Sequence, residues 1–345
     1  MNHVDRFYAT IERKPVDRPA SWLGLPDPKA YRGLYDYFKV SNMKELKRTV
    51  DDDFYPVELP YHSPTSNAIY MAFDFAKKHQ ENADDRTLTA PGLFEDYSDP
   101  DRVADFEWPD PARYIDPREC RAVVDAVPDG YPIVGVIWSA HFQDACAAFG
   151  METALVKMLI EPEMFKAVID RITDFYLQAN EIFYKATRGK LNAVLIGNDF
   201  GSQTGLMVSP RKIRELVFPG TRKLVEQAKS YGLKVIHHSC GSIYDIIPDL
   251  IAAGVDVIHP IQALAAGMDP YQLQQDFGDQ VSFCGGVDAQ NLLVFGSPEQ
   301  IRDKVLELKR IFPTGLIISP SHEAILPDVN PANVAALFAA VKEPV

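Results

Sequence analysis

From Gly130 to the C-terminus, short apolar, β-branched runs alternate with longer helical patterns, and this alternation leaves the chain few architectures. The runs are Tyr131 to Trp138, Ala193 to Ile196, Leu233 to Ile236, Val255 to Ile258, Val281 to Cys284 and Leu316 to Ile318. They are short, apolar and bounded by turn residues, so each reads as a buried strand. Between them, Ser209-Pro210, Ser297-Pro298-Glu299-Gln300 and Asn330-Pro331 offer a side-chain oxygen to orphan N–H groups and a proline suited to a first helical turn. Pro162 to Arg188 is one long apolar-periodic pattern. Strands alternating with helices imply βαβ units, a parallel sheet and right-handed crossovers.

The first 130 residues are dense in Pro, Asp and Tyr and weakly periodic, as in Asp51-Asp52-Asp53-Phe54-Tyr55-Pro56, so they read as irregular segments wrapped over that unit. Two more strands are expected there, Ala20 to Leu25 and Phe54 to Leu59. The count then reaches about eight, the number that closes a (β/α)8 barrel, and 345 residues hold a barrel of about 250 with extra segments. The expected fold is an α/β TIM barrel with an irregular N-terminal extension. It forms a single domain over 1–345, with wrapping segments in 1–130 and regular βα units in 131–345. An open doubly wound sheet is the alternative, but no Gly-x-Gly-x-x-Gly and no Walker-type glycine loop supports its nucleotide-binding forms.

Lys plus Arg number 35 against 48 Asp plus Glu, and the net charge of −13 repels phosphate backbones and anionic lipid, so neither nucleic acid nor membrane is an expected partner. Met1 to Arg6 has no apolar signal region, and no run of 18 apolar residues occurs, so a cytoplasmic location is expected. Cys120, Cys146, Cys240 and Cys284 are too few for a disulfide scaffold, which makes their role packing or metal.

In a barrel of this kind chemistry gathers at the C-terminal ends of the strands. The polar residues following the apolar runs are Asn198, Asp199 and Gln203; His237, His238 and Cys240; His259 and Gln262; Cys284 and Asp288; and Ser319, Ser321 and His322. His238 and Cys240 lie two apart, so they share a strand face while His237 and Ser239 point the other way. Imidazole and thiolate suit zinc, and a catalytic site needs a third protein ligand from another strand end. His322 is favoured because it follows the last strand; Cys284, still inside its apolar run, is the alternative. The plainer reading of a lone His-x-Cys is a hydrogen-bonded core histidine beside a small buried thiol. Asp199 and Asp288 read either as catalytic carboxylates or as caps and turn residues. Gln203 and Gln262 read as substrate contacts or as partners of rim backbone groups. Trp22 is a substrate-binding candidate whose plainer reading, like that of Trp138, is core aromatic. No Gly-x-Ser-x-Gly elbow appears, and no lysine lies in an apolar setting at a strand end, so acyl transfer and imine chemistry lack support.

The chain resembles the uroporphyrinogen decarboxylase superfamily end to end. The resemblance is carried by Arg6-Phe7 with Lys14-Pro15-Val16-Asp17-Arg18-Pro19, by Gly197-Asn198-Asp199-Phe200-Gly201-Ser202-Gln203, and by His237-His238-Ser239-Cys240-Gly241. Gly285-Gly286-Val287-Asp288 and Ser319-Pro320-Ser321-His322, leading to Asn330-Pro331-Ala332-Asn333-Val334, complete it. The superfamily comprises barrels that include cofactor-free decarboxylases and zinc- and corrinoid-linked methyltransferases. The decarboxylases carry paired arginines just after the first strand. Here that region is Trp22-Leu23-Gly24-Leu25-Pro26-Asp27-Pro28-Lys29, and a substrate with eight carboxylates needs the charge-assisted partners it lacks.

The methyltransferase branch is similar at His238 and Cys240, although its third ligand is usually a cysteine where this chain has His322. The resemblance thus implies a zinc-dependent methyltransferase that moves a methyl group between a small substrate or thiol and a corrinoid held by a partner protein. Asp199 would be a fourth ligand or proton acceptor, with Gln203, Gln262 and Asp288 orienting substrate. The alternative is a metal-independent decarboxylase or lyase acting on a small carboxylate or tetrapyrrole. There Asp199 or Asp53 would hold a cationic intermediate and His322 would shuttle protons.

Overall fold

The computed structural model describes residues 1–75 and 90–344. Among these residues seven strands form one all-parallel, curled sheet whose order follows the sequence. They are β1 (Tyr55–Glu58), β2 (Ile133–Trp138), β3 (Leu191–Gly197), β4 (Lys234–His238), β5 (Val257–Ile261), β6 (Ser282–Val287) and β7 (Leu316–Pro320). All six apolar runs of the regular region become strands, and five of them, β3 to β7, reach past the expected end. The polar residues His237, His238 and His259 are therefore on the strands themselves. Helices stand between successive strands, among them the 25-residue Pro162–Ala186. Its buried Phe165, Val168, Ile169, Ile172, Tyr176, Ala179 and Phe183 form one stripe at three- and four-residue spacing.

The helix starts follow the expected chemistry in part. Ser297 and Gln300 make a reciprocal capping box ahead of Pro298–Ile311, and Asn330 caps Pro331–Lys342. Ser209, by contrast, precedes Pro210–Leu216 without capping it through its side chain.

The expected eighth strand over Ala20 to Leu25 does not form; the segment makes a single parallel bridge, Ser21 with Ile318 of β7. Its backbone donors are spent elsewhere: Leu23 N donates to the Asp52 carboxylate at 3.0 Å and Leu25 N to the Glu323 carbonyl at 2.6 Å. Gly24, at φ +80°, lies where a Cβ would meet that same carbonyl at 2.3 Å, so the chain turns there instead of extending. The segment still links the two edge strands. Ile318 N donates to Ala20 O and Trp22 N to Ile318 O, while on the other side Asp53 N, just before β1, donates to Ser21 O at 2.8 Å.

Inside the curl, Phe54, Val134, Val136, Ala193, Leu195, Ile236, Val257, Cys284 and Ile317 pack with Trp22 and with Phe7 and Ile11 of the N-terminal helix His3–Ile11. Each fully buried Ile, Leu or Phe contributes about 1.5–3 kcal/mol. The helix lies under the N-terminal ends of the strands, where Ser282 Oγ donates to Ile11 O at 2.8 Å. Beside it, the fully buried Asp53 carboxylate accepts from Arg6 Nη1 at 2.7 Å, Arg18 Nη1 at 2.6 Å and Ser21 N at 2.8 Å, with His3 Nδ1 at 2.9 Å.

Burial pushes the Asp53 carboxyl up, but His3, Arg18 and Arg6 outweigh it and hold it below the ordinary range. A depressed carboxyl gives stability that is complete above the unfolded pKa of about 3.9 and is lost as pH falls through the folded value. Asp53→Ala removes the buried partner of Arg6 and Arg18 and leaves them only the half-exposed Asp17 and Asp51, and urea unfolding at pH 7 should show a loss of about 3 kcal/mol. The difference between variant and wild type should narrow below about pH 4.

Candidate metal centre

Strand alternation places the first two donors. Ile236 and His238 face the interior of the curl, and Cys240, two residues on, follows the same side. His237 faces outward, stacked on Phe200 with ring centroids 6.0 Å apart and planes at 7°. Cys240 Sγ lies 3.4 Å from His238 Nε2, and His238 Nε2 lies 3.3 Å from Asp199 Oδ1. Asp199 Oδ1 also accepts from Cys240 N at 2.8 Å, so the carboxylate at the end of β3 fixes the loop that follows β4.

The two strands approach closely at this level because residue 197 is glycine. A Cβ there would lie 2.4 Å from the His238 carbonyl oxygen and 2.6 Å from its Cβ. Gln262 fixes the loop from the other side, its Oε1 accepting from Gly241 N at 2.7 Å.

The loop after β7 adds His322 and Glu323. Glu323 Oε2 is 3.3 Å from His322 Nδ1 and 3.7 Å from His238 Nε2, and it has no hydrogen-bond partner. The ligand atoms of Asp199, His238 and Cys240 all lie within 4.8 Å of one another, as do those of Cys240, His322 and Glu323. Thiolate, imidazole and carboxylate are zinc's usual donors, and an unpartnered carboxylate oxygen pointing at them leaves valence for a cation, so the donor set fits a zinc ion.

The charges are mutually supporting. Burial opposes ionisation of Asp199, yet the His238 bond and charge and the Cys240 N–H bring its carboxyl down to about 2. Burial likewise raises the Cys240 thiol, but bonds from His238 and His322 bring it below its ordinary value. The bond to Cys240 raises His322 against burial.

The centre opens into a cavity of about 1250 Å³. Tyr70, Phe73, Phe75 and Trp138 supply aromatic wall, and Glu58 and Asp144 are among its acids. Lys47 is the lone Lys or Arg among the described lining residues, and its Nζ is held by the buried Asp52 carboxylate at 2.5 Å. Trp138 stands edge-on to His238 with centroids 5.4 Å apart. Burial pushes the Asp144 carboxyl up to about 7 against a hydrogen bond from Tyr176 Oη of 2.6 Å.

The structure gathers His238, Cys240, Asp199 and His322, and it gives Gln262 a positioning contact. It does not gather the rest. Asp53 lies at the opposite end of the strands in the cluster with Arg6 and Arg18, because it precedes β1 instead of following a strand. Asp288 caps a turn, accepting from Gln290, Asn291 and Leu292 N–H groups. Gln203 is exposed outside the cavity lining. Trp22 is a buried core aromatic stacked on Phe54 at 5.2 Å. Cys284 is packed inside the curl with its Sγ 3.6 Å from Ser319 Oγ, which removes it as a third ligand. Sequence reasoning passed over Glu323, although it directly follows His322 after the last strand, and over Asp144, which a helical turn carries beyond the end of β2.

The protein-family model described as uroporphyrinogen decarboxylase (URO-D) matches residues 88–344. The chain belongs to the uroporphyrinogen decarboxylase family. A methylated-thiol–coenzyme M methyltransferase of Methanosarcina mazei is 26% identical over 176 residues, which take in 51% of this chain and 44% of that enzyme. A uroporphyrinogen decarboxylase of Chlorobium luteolum is 23% identical over 98% of this chain and 97% of its own length. Among solved structures, a methyltransferase from Methanosarcina mazei superposes with a TM-score of 0.69 at 17% identity, covering 99% of this chain and 98% of that one. The likeness in fold runs the whole length, and uroporphyrinogen decarboxylase relatives are enzymes. No helix among the described residues is long and apolar enough to cross a membrane.

The four thiols of this family member differ sharply. Burial pushes Cys120, Cys146 and Cys284 up to about 12, while Cys240 is lowered and is the one of the four that is not fully buried. Because the thiolate is the nucleophile, limiting iodoacetamide at pH 7 should alkylate Cys240 first, read by peptide mass spectrometry, and zinc should protect it.

Proposed function

We propose that this family member is a zinc-dependent methyltransferase that moves a methyl group between a small substrate or thiol and a corrinoid supplied by a partner protein. The observation that carries the reading is the convergence of Cys240 Sγ, His238 Nε2 and the Asp199 carboxylate, with His322 and Glu323 alongside, at the head of the cavity. The partial likeness to an enzyme named for methyl transfer between methylated thiols and coenzyme M supports it.

His238 and Cys240 would hold the ion, with Asp199, Glu323 or His322 completing its coordination. Zinc in such a site supplies Lewis acidity that stabilises the anion of a thiol or of a departing oxygen or nitrogen group. The chain supplies the rest. Asp199 and Gln262 hold the Cys240 loop in place, so that its thiolate does not have to be ordered when substrate arrives. Asp144, whose carboxyl burial raises to about 7, holds its proton in about half of the molecules at neutral pH; it faces the cavity and can give that proton to a departing amine or alkoxide. Its sequence neighbour Gln143 hydrogen-bonds Asp199 and helps hold that carboxylate in the ligand cluster. The aromatic wall suits a small, weakly polar methyl donor.

A metal-free carboxy-lyase is the second reading, favoured by the whole-length likeness to the decarboxylases and by His322 where a cysteine would strengthen a zinc site. Against a tetrapyrrole stands the charge of the cavity, where Lys47 is already paired and the described wall offers acids in place of arginines.

Elemental analysis of protein prepared without chelator should find about one zinc per chain, and His238→Ala or Cys240→Ala should abolish it. Methyl exchange between methylcobalamin and small thiols should fall in those variants by on the order of 100-fold. Absence of stoichiometric metal, together with carboxy-lyase activity that survives chelator, would replace this reading with the second.

A further inference from the structure

Parallel register sets His238 of β4 directly beside His259 of β5, and both imidazoles turn into the curl. Their Nδ1 atoms are 2.9 Å apart. Two imidazoles meeting nitrogen to nitrogen at that distance share one proton, so one ring donates and the other accepts. The Nε2 of His238 is the atom facing Cys240 Sγ and Asp199, and a ring that ligates a cation through Nε2 carries its proton on Nδ1.

We infer that His259 is a positioning residue: its Nδ1 accepts the Nδ1–H of His238 and so fixes the tautomer and ring orientation that present His238 Nε2 to a metal. This inference rests on the metal reading above.

The cost of placing a histidine there makes the role specific. His259 is fully buried, its Nε2 has no hydrogen-bond partner among the described residues, and its ring packs on Trp22 with centroids 5.0 Å apart. A leucine would fill that space without an orphaned N–H, and an unsatisfied buried polar group is unfavourable. What a leucine lacks is the acceptor at Nδ1. Ligating histidines commonly give their second N–H to a carboxylate, a carbonyl or a water. Among the described residues the partner of His238 Nδ1 is another imidazole, and that fixes the proton on both rings: Nδ1–H on His238 and Nε2–H on His259. Trp138, edge-on to the opposite flank of His238, leaves the ring little freedom to turn away.

The test titrates zinc against a competing chromogenic chelator in wild type, His259→Leu and His259→Asn, with thermal unfolding of each metal-free protein. His259→Leu should weaken zinc binding by about 10–100-fold while the metal-free protein unfolds no lower than wild type. His259→Asn, whose Oδ1 restores an acceptor near the Nδ1 position, should recover most of the affinity. A merely structural histidine predicts the reverse pattern, with lowered unfolding temperature and unchanged affinity in the folded fraction. Proton-detected nitrogen NMR of histidine-labelled, zinc-loaded wild type reads the tautomers without any substitution, and Nδ1–H on His259 would overturn the inference even if His259→Leu fails to fold. Wild type that binds zinc alongside a His259→Leu variant of equal affinity overturns this inference alone. Wild type that takes up no zinc overturns the metal reading and this inference with it.

Discussion

The curl of the sheet depends on a buried carboxylate. Asp53 lies where β1 begins, and its oxygens gather Arg6 from the N-terminal helix, Arg18 from the following turn and the backbone of Ser21 from the segment beside β7. Without that junction the two edge strands would expose unpaired ladder groups on a sheet already bent around an apolar interior. Arginine suits the role because its planar fork spans two acceptors at once; Arg6 grips Asp17 as well as Asp53. The Asp-rich N-terminal region, which in sequence looks like solvated loop, thus contains the electrostatic clasp that lets seven strands behave as a rounded enclosure.

Given the curl, the ligand cluster follows from register. Gly197, His238 and His259 lie level on three adjacent strands, and the donors gather around that row. Loops deliver Asp199, Cys240, His322 and Glu323, but those loops are not free to wander: Cys240 N and Gly241 N are both tied to side chains from neighbouring strand ends. Histidine, thiol and carboxylates share a half-buried volume, and each stabilises the charged form of the next.

Much of this was legible in the chain. Six apolar runs became six strands because buried parallel strands need continuous apolar sequence, and the His-x-Cys pair faced inward because alternation has period two. The errors share one physical origin: sequence shows which residues follow a run but not where the run stops or what already satisfies a polar group. Asp288 was spent on three N–H groups and Trp22 on packing; Asp53, expected to hold a cationic intermediate, is already taken by Arg6 and Arg18 ahead of its strand. The eighth strand failed because Gly24 and two Asp52 and Glu323 acceptors drew the backbone out of the ladder, contacts with no local signature. Asp144 and Glu323 went unread for the same reason, since their importance lies in cavity geometry.

The missing side chain at residue 197 carries a broader meaning. Because the separation of β3 from β4 at this level is set by main-chain contact, the distance between the Asp199 and His238 donors is a property of the scaffold, insulated from the walls around it. Tyr70, Phe73 and Phe75, by contrast, stand on a stretch outside the sheet. A descendant of this chain could therefore trade one clientele of small molecules for another by repainting that stretch, while the tool at the bottom of the hollow kept its gauge.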